Sequence, residues 1–123
     1  MKYLTSINYL FLLIIILFFA ACSDCEFKGI KPDSLPEGNV NKPYTAQIEH
    51  ESDCQYSSKS CTKISGELPS GIKLEGTGLI SGLPQSAGVY NFTIKYELCF
   101  GSGGWSASDC HEKTKSYTIT VKQ

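Results

Sequence analysis

The chain has 123 residues, with 11 lysines and no arginine set against 12 acidic residues, for a net charge of −1. That near-neutral balance draws it to neither nucleic acid nor an anionic bilayer, and without guanidinium groups it lacks the bidentate clamps of phosphoryl chemistry and base reading. No segment beyond residue 22 repeats apolar positions at helical spacing, which excludes a helix bundle.

The first element is a leader. Lys2 gives a basic start, Leu10 to Phe19 is an unbroken apolar run, and Phe19-Ala20-Ala21-Cys22 closes it. A run this short with small residues behind it is a cleaved secretory signal rather than a membrane span. The cysteine directly after the small residues resembles the lipobox of bacterial lipoproteins, which implies cleavage before Cys22 and acylation of its thiol. Residues 1–21 are then the signal peptide, 22–33 a lipidated tether and 34–123 one folded domain; removing 21 of 123 residues leaves 102, and loss of Lys2 takes the charge from −1 to −2. The resemblance also implies a cell-envelope location. Aspartate straight after the anchoring cysteine commonly retains a lipoprotein on the inner membrane; here Ser23 holds that position and Asp24 the next, which favours the outer membrane.

The tether admits a first strand at Phe27–Ile30. Tyr44, Ala46 and Ile48 alternate with Thr45, Gln47 and Glu49, a second strand. Ile72–Leu74 and Leu79–Ser81 flank Gly76-Thr77-Gly78, a hairpin turn that uses glycine at positive φ. From Tyr90, the residues Tyr90, Phe92, Ile94, Tyr96 and Leu98 alternate with Asn91, Thr93, Lys95 and Glu97. Tyr117, Ile119 and Val121 repeat the pattern against Thr118, Thr120 and Lys122. Period two marks half-buried strands. With turns at Pro36-Glu37-Gly38, Leu68-Pro69-Ser70-Gly71 and Leu83-Pro84, these strands predict an all-β, antiparallel sandwich of about seven strands.

Three segments together carry a family pattern: Leu68-Pro69-Ser70-Gly71-Ile72-Lys73-Leu74, Gly78-Leu79-Ile80-Ser81-Gly82-Leu83-Pro84, and Ala87-Gly88-Val89-Tyr90-Asn91-Phe92-Thr93-Ile94. In order and spacing they resemble the putative Ig domain family, related to the cadherin-like, dystroglycan-type sandwiches of surface proteins. The resemblance runs from about Leu35 to Val121 and implies an Ig-like β-sandwich. The chain departs from the pattern at Cys61-Thr62-Lys63-Ile64, where an aromatic is usual, and in its cysteines. Tyr90, two residues after Gly88, resembles the tyrosine corner of such sandwiches.

Export implies an oxidising compartment in which cysteines pair. Acylation of Cys22 leaves Cys25, Cys54, Cys61, Cys99 and Cys110, an odd set, with Cys25 the expected orphan. If Cys99 and Cys110 face each other across a hairpin, Phe92 falls opposite Tyr117 and Tyr90 opposite Ile119. Both pairs unite inward-facing residues, whereas a slip of one would pair core with solvent. Cys54 and Cys61 enclose the polar Gln55–Ser60 segment and are expected to staple it locally; crossed pairings with Cys99, Cys110 or Cys25 remain open.

The candidate binding loop is the bridged segment with Phe100 and Trp105: either Trp105 is an aromatic anchor for a partner, or it folds back over the open end of the sandwich. His50 and His111 have no nucleophile at an informative spacing, and no Gly-x-Ser-x-Gly elbow occurs. Asp24, Asp33, Asp53 and Asp109 are scattered rather than gathered for calcium, and the cysteines nearest His111, Cys99 and Cys110, lack the Cys-x-x-Cys spacing of a zinc site. The expectation is a non-enzymatic, cofactor-free and metal-free module held to a membrane by lipid, with a protein or glycan partner. Two alternatives stand beside it. One is an immunity or inhibitor lipoprotein that inserts the bridged loop into a target; the other, a small hydrolase, lacks an assembled acid, base and nucleophile.

Overall fold

A computed structural model describes residues 25–53, 55–101 and 109–123. Its frame is the hairpin of β8 (Gly88–Phe100) and β9 (Asp109–Lys122), paired at thirteen consecutive positions from Gly88↔Val121 to Phe100↔Asp109 without a bulge. Along this ladder Phe92, Ile94, Tyr96, Leu98, Tyr117, Ile119 and Val121 are all buried, as the alternation predicts. Their outward neighbours pair as polar couples. Thr93 and Ser116 hydroxyls lie 2.8 Å apart, and the Thr118 hydroxyl donates to Asn91 Oδ1 at 2.6 Å. One face feeds the core and the other meets water, so a slip of one residue would invert every side chain.

β5 (Ser58–Gly66) pairs antiparallel with β8, and β2 (Gly38–Asn39) pairs parallel with the end of β9, giving a first layer in the order β2-β9-β8-β5. The opposing layer holds β1 (Phe27–Lys31), β3 (Tyr44–Gln47), β4 (Glu49–Ser52), β6 (Ile72–Leu74) and β7 (Leu79–Gly82). Only Ile48 separates β3 from β4, and there the chain changes partners: β3 pairs with β7, β4 with β1. Ile48 is fully buried and its N–H donates to Gly78 O at 2.8 Å. Gly78 sits at φ +90°, and a Cβ there would lie 2.2 Å from Ile48 O, so the expected hairpin turn closes only with glycine. Phe27, Ile30, Tyr44, Ile72 and Ile80 fill the core from this layer.

The described residues thus form nine strands where about seven were expected. Two-residue β2 and the break at Ile48 account for the difference. The sandwich also begins earlier than residue 34. β1 lies within the segment expected as tether, because Phe27 and Ile30 bury their side chains in the core.

β1 is fixed to β9 by side chains. Lys115 Nζ donates to Ile30 O, Pro32 O and Asp33 Oδ1 at 2.8, 3.1 and 3.0 Å, the Tyr117 hydroxyl donates to Pro32 O at 2.7 Å, and Lys113 Nζ donates to Lys28 O at 2.9 Å. Three acceptors use all three donors of the Lys115 ammonium. The hydrogen bond and charge of Lys115 hold the Asp33 carboxyl below its usual range. The Tyr90 hydroxyl donates to Ser86 O at 3.1 Å, tying β8 to the turn before it as the tyrosine corner predicts.

The Cys99–Cys110 bridge closes the far end of the hairpin. Replacing both cysteines by serine is expected to lower unfolding stability by about 3 kcal/mol, from the loop-closure entropy returned to the unfolded chain. Urea unfolding followed by circular dichroism measures it; an unchanged midpoint would show that the ladder alone holds the hairpin shut.

Candidate functional site

The cysteines divide differently from the sequence expectation. Cys99 pairs with Cys110, at the register that places Phe92 opposite Tyr117. Cys61 does not staple Cys54. It is a free thiol buried on the inward face of β5, opposite Tyr96, and burial pushes its pKa up to about 11. The reason is that Ser58–Ser60, expected in a loop, belongs to β5, whose alternation turns Cys61 into the core. Cys25, expected as the orphan, is disulfide-bonded. Cys22, Cys54 and Trp105 lie outside the described residues. Phe100 is half-buried at the end of β8, with its ring centroid 5.8 Å from that of His111.

The main cleft lies elsewhere, where the opposing layer runs out of strands. The β6–β7 hairpin ends at its Gly76–Gly78 turn, so the last β3–β7 pair is Gln47↔Leu79, and β4 continues with β1 alone. The space left beside β4 is walled by the start of β5. The result is an open cleft of about 430 Å³ lined by Gln47, Glu49, His50, Tyr56, Lys59 and Thr77. Gln47 braces its floor, with Nε2 donating to Ile48 O at 2.9 Å and to Thr77 O at 3.0 Å. Ser57 braces its rim, donating from both N–H and hydroxyl to Cys99 O at 2.7 and 2.8 Å.

His50 sits at the back of this cleft. Its Nδ1 is 3.2 Å from the Tyr96 hydroxyl, and its ring stands edge-on to Tyr56 with centroids 4.6 Å apart. Tyr96 is buried and its pKa rises to about 12, so it stays a neutral phenol. Burial first, and the Lys59 charge second, hold His50 below its ordinary pKa. Lys59 Nζ lies over the Tyr56 ring, 5.7 Å from its centroid. The cleft therefore offers an exposed aromatic, a cation, the Glu49 carboxylate and a neutral imidazole on one braced surface. Such a surface can hold a polar ligand by stacking and hydrogen bonds. His111 is separate. Its Nε2 lies 3.1 Å from Asp109 Oδ2 on the exposed neck of the hairpin. Among the described residues no cluster of three or more metal-ligating side chains occurs.

Sequence reasoning missed this cleft. His50 and Tyr56 are distant from Thr77 along the chain, and the only available signal was the continued alternation of His50 and Ser52 past Ile48.

Two facing layers, a tyrosine corner and a strand that changes partners define the molecule as an Ig-like β-sandwich. The Putative Ig domain family matches residues 29–122, and the chain belongs to that family. Among solved structures it is similar to a putative alpha-galactosidase from Bacteroides fragilis, at 20% identity and a TM-score of 0.51, over 79% of this chain. The match spans 17% of that enzyme's chain, so the likeness is one of fold in a single part of a much longer protein. No curated protein matches the chain.

Two measurements follow from the cleft and the thiol. An NMR titration is expected to place the His50 midpoint below 6.5, and Lys59→Ala to move it upward. The folded chain binds that proton less readily than the unfolded chain, so this stability is complete above pH 6.5 and is lost as pH falls through the lower folded value. Iodoacetamide at pH 8 should leave Cys61 unmodified in the native protein and alkylate it once guanidinium unfolds the chain. Labelling of the native protein would place the thiol outside the core.

Proposed function

We propose that this Ig-like domain is a lipid-anchored, non-catalytic binding module of the bacterial cell envelope, whose contact surface for protein or glycan is the His50–Tyr56–Lys59 cleft. The composition of the cleft carries the reading. Tyr56 is 37% exposed although large and aromatic, and charged groups of both signs surround it on a braced scaffold. Aromatic faces with flanking hydrogen-bonding groups suit polar, partly apolar ligands such as sugar rings and extended peptide. Gln47, by contrast, serves structure, spending its amide hydrogens on backbone carbonyls.

The lipobox-like Phe19-Ala20-Ala21-Cys22 supports the anchor, since one acyl chain holds weakly while several hold durably. The Cys99–Cys110 bridge also favours a second reading, in which the closed hairpin loop is an inhibitory probe for an envelope enzyme.

Radiolabelled palmitate should enter the protein and be lost in Cys22→Ser; label retained in that variant would reject the anchor. Tyr56→Ala should lower retention on immobilised envelope glycans, or on photocrosslinked envelope partners, at least tenfold with an unchanged melting temperature. Equal retention would reject the cleft and favour the hairpin loop.

A further inference from the structure

We infer that the ligand of the cleft is an extended peptide segment, whose main chain continues the backbone hydrogen-bond rows that the Gly76–Gly78 turn begins. This rests on the reading of the cleft as the contact surface and narrows its ligand from protein or glycan to peptide backbone. Two bonds made by the turn carry the inference. Gly78 O accepts from Ile48 N–H at 2.8 Å, and Gly76 O accepts from Cys61 N–H at 2.9 Å. The turn is thus held between the line of β3 and β4 on one side and β5 on the other. Backbone groups alternate sides along a strand, so two residues further into the cleft the same orientation recurs, at His50 and at Lys59.

Each orientation has a second, independent support. Lys28 O and Ile30 O accept from lysines of β9 and so point away from β4, which makes Gly29 and Lys31 the residues of β1 that bond to β4. Their partners are Glu51 and Glu49; His50, opposite Ile30, therefore turns its N–H and C=O from β1 toward the cleft. On the other side, Ser57 N–H and Glu67 N–H donate to Cys99 O and Asn91 O, so the odd residues of β8 serve β5. Ser58, Ser60 and Thr62 face Cys99, Glu97 and Lys95, and Lys59 between them turns its N–H and C=O to the free edge. Among the described residues nothing takes these backbone groups of His50 and Lys59. They are two donors and two acceptors on the strand edges that border the cleft, about 6.8 Å along from the rungs that the turn fills with its own carbonyls. A peptide main chain brings a carbonyl and an N–H at each step and adds to such an edge as a strand. A sugar ring has no such repeat. A ligand side chain that turns inward meets the Tyr56 ring beside His50, a place that suits an apolar or aromatic residue.

The test selects a displayed library of random dodecapeptides on the full chain, exported, processed and held in detergent. A synthetic copy of the most enriched peptide is then measured by calorimetry and by amide hydrogen exchange. Its binding is expected to slow exchange of the His50 and Lys59 amides at least tenfold and to leave those of Glu49 and Glu51 unchanged. Methylating the peptide nitrogens at alternate residues should weaken it at least tenfold. Lys59→Pro removes an N–H outside the ladder with β8, a change that an edge strand accommodates, and should weaken binding at least tenfold more than Lys59→Ala does. A peptide lost with Tyr56→Ala that protects neither amide overturns the backbone pairing and leaves the cleft as the contact surface. Failure to enrich any peptide overturns the pairing as well, and chitohexaose bound by the native chain but not by Tyr56→Ala would then keep the cleft as a glycan surface. A peptide that binds Tyr56→Ala as tightly as the native chain, with neither amide protected, overturns the cleft reading and the pairing together.

Discussion

The register between β8 and β9 is the constraint on which the rest of the molecule depends. Thirteen uninterrupted pairs fix which side of each strand faces inward, and the Cys99–Cys110 bridge seals one end of the ladder. Each of Ile94, Tyr96, Leu98 and Ile119 is fully buried, and burial of such side chains contributes about 1.5–3 kcal/mol apiece. A one-residue slip would forfeit all of these at once while placing Lys95 and Glu97 in the core. The bridge, Tyr90 with its corner and the inward row of β9 are all consequences of that one alignment.

The opposing layer is attached to this frame unevenly. On the β1 side, lysine and tyrosine side chains of β9 hold the backbone carbonyls of β1 and of Pro32, an arrangement that joins two layers where no ladder can form. On the other side, the attachment is the Cys61 N–H donating to Gly76 O at 2.9 Å and the inward packing of β5. The β6–β7 hairpin stops at its glycine turn while β4 continues, and the cleft is the space this difference in length leaves. A rigid ladder, a clamped flank and an unfilled flank are what place His50, Tyr56 and Lys59 together.

The sulfur chemistry follows the same geometry. Cys61 lies on the inward face of a strand, so burial and not pairing decides its state, and its raised pKa keeps it an unreactive thiol. Cys25 and the Cys99–Cys110 bridge gather at one end of the sandwich, where Lys113 beside Lys28 O sets the start of β1 level with that stretch of β9.

The alternation of Tyr90–Leu98 and of Tyr117–Val121 is a local property, and from it the chain alone determined the strands, the inward faces, the hairpin register and the Cys99–Cys110 pairing. The Leu68-Pro69-Ser70-Gly71 and Leu83-Pro84 turns and the Ala87–Ile94 pattern determined the Ig-like class. Tertiary structure alone decided that β1 belongs to the sandwich, that Cys61 is buried instead of paired with Cys54, that Cys25 is bonded, and that His50, Tyr56 and Thr77 line one cleft. Those outcomes depend on contacts between residues tens of positions apart, such as Lys115 with Ile30 or His50 with Tyr96. Periodicity tells each residue which way to face, but only the packed layers determine what it meets there.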